Sequence, residues 1–348
     1  GAAEKVGESL KASDIEVVVH AGGEPEPSCD VVAAAVEAAQ DIKPDAIVGL
    51  GGGSNMDLAK ATAILLSHGG SIGDYVGWDE LPGPILPLMC LPTTSGTSSE
   101  ISGTAVLTDK ANQLKVAILS PHLRPDIALI DPELTLSCPK KATADSGIDA
   151  LTHAVEAYLA TTSFDMKADL GQWLPYEGKH PLGDCLGERA IRLIGQHLVR
   201  AVNEPDCLEA REGMALGAMF AGLAFSNCGV GLVHAMEYPL GGVLHVSHGE
   251  GNGLLLPHVM RYVKSVREKE LARIAVLLGE EESADAAIEK VVEIQNAIGI
   301  RTRVRDLGAT QEQLPMLAAK AFSIKRLMDL TPRSPSESDI LEVYRAAF

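Results

Sequence analysis

Up to about residue 140 the chain alternates short apolar runs with stretches of helical spacing; beyond it, only the helical spacing continues. IEVVVHA (15–21), DAIVGLGGG (45–53), ILPLMCLP (85–92), AVLTD, KVAILS and DIALID (126–131) read as strands. CDVVAAAVEAAQDI (29–42) and MDLAKATAILLSHG (56–69) read as helices between them, with apolar residues at threes and fours. Strands separated by helices require a largely parallel sheet covered on both faces. The later runs, ADSGIDALTHAVEAYLA, ERAIRLIGQHLVRAV, REGMALGAMFAGLAF, ELARIAVLLG and AIEKVVEIQNAIG, are all helical. The pattern therefore places an α/β domain over 1–140 and an all-α domain over 141–348.

One stretch breaks the helical half. Residues 163–184, SFDMKADLGQWLPYEGKHPLGD, carry prolines, glycines, Trp173 and Tyr176 with no period, and read as a loop inserted between helices. At its other end the chain opens on helical spacing, where an α/β domain would open on a strand. A first strand is therefore expected before Gly1. At 348 residues each half is long enough to bury its own core. The formal charge of −18 repels nucleic acid and anionic membranes, so neither is an expected partner. No apolar run approaches the roughly 20 residues that span a bilayer, and no signal peptide is visible, so a cytoplasmic location is expected. The six cysteines (29, 90, 138, 185, 207, 228) form no CxxC pair and read as reduced and mostly buried.

Two turns follow strands. In GLGGGSNMDLAKA (49–61) the strand runs into Gly51, Gly52, Gly53 and Ser54, with a helix starting near Asn55 or Met56. Glycines let a phosphate approach the backbone and the helix N-terminus offers free N–H groups. The spacing is neither GxGxxG nor GxxxxGK[ST], so a plain strand-to-helix turn is an equal reading. The hydroxyl-rich PTTSGTSSE (92–100) ends another strand. Two such turns mark the side of an open α/β sheet where ligands bind.

The residues with the most chemistry lie in GIDALTHAVEAY (147–158) and GLVHAMEYPLGGVLHVSHGEGN (231–252). Asp149 and His153 are four apart on a helix and share a face, with Glu156 nearby to orient a ligand and Ile148, Leu151, Val155 and Leu159 as the core stripe. One carboxylate and the imidazoles of His153, His234 and His248 are enough to hold a divalent metal and leave a coordination position open. Taken singly, Asp149 and His153 also fit a solvated surface pair, and His234 in its apolar run fits a satisfied core histidine. His245 and His258 compete as ligands.

Taken together these blocks resemble the iron-containing (group III) alcohol dehydrogenase family. GGGSNMDLAKA, PTTSGTSSE, SPHLRPDIALIDPELTLS (120–137), GIDALTHAVEAY and HAMEYPLGG…HGEGN follow the family's order through almost the whole chain. The resemblance implies a Rossmann-like dinucleotide-binding domain followed by an all-α domain, and most often a homodimer. It implies Asp149, His153, His234 and His248 as the metal ligands, Fe²⁺ as the usual metal with Zn²⁺ as the rival, and NAD or NADP as cofactor. It makes Gly51, Gly52, Gly53 and Ser54 the pyrophosphate turn, turns Thr93, Thr94, Thr97 and Ser98 toward the cofactor, and gives Lys115 the ribose. Many members carry a second histidine four residues after the third ligand. Here that place is Tyr238, which becomes the catalytic candidate. PYEGKHPLGD and the Tyr-Pro of HAMEYP resemble the hydroxyacid–oxoacid transhydrogenase branch.

The implied chemistry is hydride transfer between a small alcohol and NAD(P), and in reverse the reduction of an aldehyde or ketone. A transhydrogenase is the first alternative. A dehydroquinate-synthase-like lyase is the second, although its phosphate-bearing substrate wants Lys and Arg beside the ligands, where this chain shows no such cluster. A non-catalytic metal- or nucleotide-binding protein is the third.

Overall fold

In the computed structural model, residues 1–110, 114–166 and 174–348 are described. The chain divides into one unit of residues 1–93 with 99–135, and a second of residues 94–98 with 136–348.

The first unit begins with helices α1 (Ala2–Lys11) and α2 (Cys29–Gln40). Strand β1 (Ile47–Gly51) leads into α3 (Gly53–His68), and β2 (Gly77–Trp78), β3 (Leu88–Pro92), β4 (Thr104–Asp109), β5 (Leu114–Leu119) and β6 (Ile127–Ala128) follow. β1, β3 and β6 form a parallel sheet with β3 in the middle. α3 covers one face of it through Met56, Ala59, Leu88 and Cys90. The approach depends on Gly49: a β-carbon there would stand 3.0 Å from Ala59 and 3.3 Å from the Met56 backbone.

Three expectations change here. AVLTD and KVAILS are strands, but β4 and β5 pair antiparallel. The four residues between them are too few for a parallel crossover. The sheet is not covered on both faces, for Val48 and Ile127 remain 37% and 50% exposed. IEVVVHA is not a strand. No strand among the described residues pairs with it, and Val18 and Val19 lie on the surface.

α3 also pins the segment after PTTSG. Lys60, fully buried, donates to the carbonyls of Ser102 and Thr104 at 2.8 Å each. Asp57 accepts from the Ser99 hydroxyl at 2.6 Å and from the Val106 N–H at 3.0 Å. Glu100 is buried beside this pair. Desolvation raises its carboxyl to about 7, with its own backbone and the Lys60 charge pulling the other way.

The second unit is helical: α4 (Lys140–Leu159), α5 (Pro181–Asn203), α6 (Leu208–Cys228), α7 (Leu232–Leu244), α8 (His248–Leu277), α9 (Ala284–Ile298), α10 (Leu314–Phe322), α11 (Lys325–Leu330) and α12 (Glu337–Ala346). ELARIAVLLG is not a separate helix but the part of α8 beyond Arg267, whose φ of −133° kinks it. The Arg267 side chain reaches the carbonyls of Leu159 (3.0 Å) and Ala160 (2.9 Å), capping the end of α4. α5, α6 and α8 pack on α4. Ile148, Leu151, Val155 and Leu159 are buried as expected, and so are Asp149, His153 and Glu156 on other faces. A helix enclosed on all sides excludes the surface-pair reading of Asp149 and His153.

The end of the insert is helical, since α5 starts at Pro181. Trp173 lies outside the described residues, while Tyr176 packs on the helical core. Among the described residues no single helix is long and apolar enough to cross a membrane. All six cysteines are free, but only Cys90, Cys138 and Cys228 are buried; Cys185 is exposed.

Candidate metal centre

Three helices bring the ligand candidates together. α4 supplies Asp149 and His153 one turn apart, α7 supplies His234 as its third residue, and α8 opens on His248. Asp149 Oδ2 is 3.9 Å from His153 Nε2, and Oδ1 is 3.9 Å from both His234 Nε2 and His248 Nε2. The ligand atoms of Asp149, His153 and His234 all lie within 4.8 Å of one another. The His153 ring is stacked between Phe225 at 4.3 Å and His234 at 4.8 Å. His245 is exposed at the left-handed end of α7, and neither it nor His258 joins the cluster.

Carboxylates behind the rings set their orientation. Glu156 Oε2 is 2.5 Å from His234 Nδ1, and its Oε1 accepts the Val233 N–H at 2.7 Å. Glu237 bonds His248 Nδ1. Each acid holds the Nδ1 proton, which leaves the Nε2 lone pair toward Asp149. The sequence reading included Glu156 and missed Glu237. The available signal was an acid three residues after His234 in an otherwise apolar run, and it is 0% exposed.

The electrostatics match. Burial drives the His153 imidazole down to about 3, against the pull of Asp149, so the ring is neutral. Burial alone would raise Asp149, but the three imidazoles and the Asn252 amide outweigh it and the net shift is downward. Asn252 Nδ2 faces Asp149 Oδ1 at 2.8 Å and the Nε2 atoms of His234 and His248 at 3.1 Å each. Two amide hydrogens cannot serve three acceptors. One carboxylate and three imidazoles with acceptors in excess of donors fit a divalent cation. Solvent reaches the cluster at His248, whose side chain is 31% exposed against 7% or less for the other three. Tyr238 stacks on that ring at 6.0 Å and meets His234 edge-on at 6.5 Å. Burial raises its phenol well above the usual range, so it stays protonated.

In the first unit the glycine turn is sharper than expected, because α3 starts at Gly53 rather than at Asn55. Gly51 has φ +142°, and Gly52 caps the helix without a side-chain hydrogen bond, which leaves the first N–H groups to another acceptor. Ser54 Oγ accepts from the Glu26 N–H at 3.1 Å, and Glu26 in turn pairs with Lys115 at 2.6 Å. Lys115 is thereby linked to the turn. Thr93 N–H bonds the Gly51 carbonyl at 2.8 Å, and Thr93, Thr94 and Thr97 are half-buried. Ser98 has a protein partner. Its backbone is left-handed (φ 52°) and its buried hydroxyl donates to the Ala218 carbonyl at 2.8 Å.

Known proteins resemble this chain along its whole length. The pattern described as iron-containing alcohol dehydrogenase matches residues 1–132, and that of the Fe-containing alcohol dehydrogenase family, C-terminal, matches residues 176–348. Long-chain-alcohol dehydrogenase 1 of Geobacillus thermodenitrificans is 38% identical, covering 100% of this chain and 86% of that protein. A 1,3-propanediol dehydrogenase of Citrobacter freundii is 36% identical, covering 100% and 87%. The crystal structure of 1,3-propanediol oxidoreductase superposes with a TM-score of 0.92 at 35% identity, covering 100% and 88%. Sulfoacetaldehyde reductase of Bifidobacterium kashiwanohense in complex with NAD+ superposes with a TM-score of 0.84 at 30% identity, covering 99% and 88%. By these identities over the full length, the chain belongs to the iron-containing alcohol dehydrogenase family.

Proposed function

We propose that this alcohol dehydrogenase works with one divalent cation held by Asp149, His153, His234 and His248, and with NAD or NADP. The observation that carries the reading is the meeting of one carboxylate and three imidazoles, two of them backed by buried acids. The family favours Fe²⁺. Zn²⁺ binds such N/O sites more tightly, so supply decides between them.

A cation there supplies Lewis acidity toward a substrate hydroxyl or carbonyl oxygen, which eases loss of the hydroxyl proton. Glu156 and Glu237 keep the His234 and His248 rings aimed. Phe225 closes the side of His153 to water. Tyr238, protonated beside His248, is placed to donate a hydrogen bond to the substrate rather than to act as a base. In the first unit, Gly51, Gly52, Gly53 and Ser54 at the start of α3 are suited to a pyrophosphate, and Thr93 and Lys115 of the same unit would face the cofactor, Lys115 its ribose; in the second unit Thr94 and Thr97 are the further hydroxyl candidates. A nicotinamide cofactor bound there would supply the hydride acceptor for the carbinol carbon and, in reverse, the hydride donor. Relatives named as alcohol and diol dehydrogenases favour this reaction over the transhydrogenase and the lyase.

The test is absorbance at 340 nm with a panel of alcohols and aldehydes, together with elemental analysis of the same sample. Alcohol-dependent reduction of NAD(P) with about one metal per chain is expected. A protein that holds no metal and reduces neither cofactor would overturn the proposal.

A further inference from the structure

We infer that Glu250 is a positioning residue for the metal centre: gripped by Lys141 and Arg301, it locks the start of α8, and His248 with it, against the ligand-bearing row of α4. The inference rests on the reading of Asp149, His153, His234 and His248 as metal ligands, and adds what holds them in place. α4 carries Lys141, Asp145, Asp149 and His153 at a spacing of four, in one row along the helix. The start of α8, HGEGNG (248–253), lies against this row. His248 Nε2 comes to 3.9 Å from Asp149 Oδ1. A β-carbon on Gly249 would stand 2.1 Å from the Asp145 carbonyl oxygen and 3.2 Å from Asp149 Cβ, and one on Gly253 would stand 2.6 Å from Ile148 Cγ2. Only glycine lets the two helices approach so closely.

The same closeness weakens the turn. Glycine is the poorest helix former after proline, and three of the first six residues of α8 are glycine. Ser247 before them gives no side-chain cap, and His245 is left-handed. The segment that bears the most exposed ligand candidate is thus loose on its own. Glu250 supplies the restraint. Its side chain is 3% exposed and accepts three bonds, from Lys141 Nζ at 2.8 Å, Arg301 Nε at 2.8 Å and Arg301 Nη2 at 2.6 Å. Lys141 also pairs with Asp145 at 2.5 Å, so one ammonium ties the row on α4 to the start of α8. Arg301, just beyond α9, donates as well to the Asp306 carbonyl at 3.2 Å, which anchors the grip in a third part of the fold. A two-bond arginine grip fixes direction as well as distance. Glu237 aims the His248 ring; Glu250 holds the backbone from which the ring projects. The Lys141 and Arg301 side chains are 56% and 44% exposed, so both cations return to water when Glu250 is neutralised, and Glu250→Gln leaves no buried unpaired charge.

The test loads the wild type, Glu250→Gln, Arg301→Gln, Arg301→Lys and Arg273→Gln with Co²⁺, whose visible absorption bands report ligand geometry. Arg273→Gln is the control, because it breaks a two-bond grip on Glu188 in which no ligand candidate takes part. Glu250→Gln and Arg301→Gln should shift the bands and release Co²⁺ to a chelator about three- to tenfold faster than the wild type, less than the roughly 10- to 100-fold expected for a group bonded to a ligand itself. Arg301→Lys keeps the charge without the fork and should fall between wild type and Arg301→Gln. Glu250→Gln combined with Arg301→Gln should release Co²⁺ no faster than Glu250→Gln alone, since the two residues act as one unit. Unchanged bands and release in the two Gln variants, additive effects in the combined one, or an equal change in Arg273→Gln would make Glu250 an ordinary structural ion pair and overturn the inference. Amide hydrogen exchange on the metal-free proteins needs no cation. Exchange over residues 249–253 should be at least about fivefold faster in Glu250→Gln and Arg301→Gln, with α6 unchanged, and equal rates in all proteins overturn the lock. If the wild type takes up no Co²⁺, the metal reading has failed, and the exchange rates alone decide whether Glu250 holds the start of α8.

Discussion

Glu156 spends both carboxylate oxygens on donors, His234 Nδ1 at 2.5 Å and the Val233 N–H at 2.7 Å. Glu237 spends one, on His248, and its Oε1 has no partner. The two acids are therefore not equivalent. In Glu156→Gln one donor must face the new amide, whereas in Glu237→Gln the amide can turn into the unpartnered side. Glu156→Gln should lose about 10- to 100-fold in metal affinity and about 1–3 kcal/mol of stability, and Glu237→Gln clearly less of both. Chelator competition and thermal melts read this; equal losses would mean that the hydrogen-bond count does not set the affinity.

His248 is the most exposed ligand candidate and the first residue of its helix. His248→Ala should lose most bound metal while far-ultraviolet circular dichroism stays unchanged, because the helices keep their own cores. His234→Ala should also lose metal, with more effect on stability, since the buried Glu156 loses one of its two donors. Full occupancy in both variants, by elemental analysis, would sink the ligand assignment.

Two neighbouring glycines separate structure from binding. Gly51 has φ +142°, and an added β-carbon would strike Asn55. Gly51→Ala should destabilise the first unit by about 1–3 kcal/mol. Gly52 has an ordinary φ of −75°, so Gly52→Val should fold and yet bind NADH weakly in a fluorescence titration, with metal content unchanged. Normal NADH binding by Gly52→Val would reduce the turn to a structural one.

Glu100 makes stability depend on pH. Its carboxyl is raised from 4.5 to about 7, chiefly by desolvation. A group raised by folding contributes stability that is fully present below the unfolded value and lost as pH rises through the folded one. Between about pH 4.5 and 7 the loss is on the order of 3 kcal/mol at most. Glu100→Gln removes the titration, so its urea stability relative to the wild type should rise steadily across this window. A constant difference from pH 5 to pH 8 would contradict it.

What the sequence disclosed followed from local spacing. Asp149 and His153 are one helical turn apart, so their shared face was legible, and the two glycine and hydroxyl turns announced themselves at strand ends. Other features depend on what lies across the fold. Glu237 differs from a surface acid only by being enclosed, and Ser98 bonds Ala218, 120 residues away. IEVVVHA has strand composition, but a strand also needs a neighbour.

Arg267 kinks α8 and clasps the last carbonyls of α4. α4 bears Asp149 and His153 and α8 opens on His248, so the clasp fixes the register of two ligand-bearing rods about five helical turns along α8 from His248. The spacing of the donors is thus set from afar as well as at the centre. Loosening this distant joint would detune the cation's surroundings without touching a single ligand.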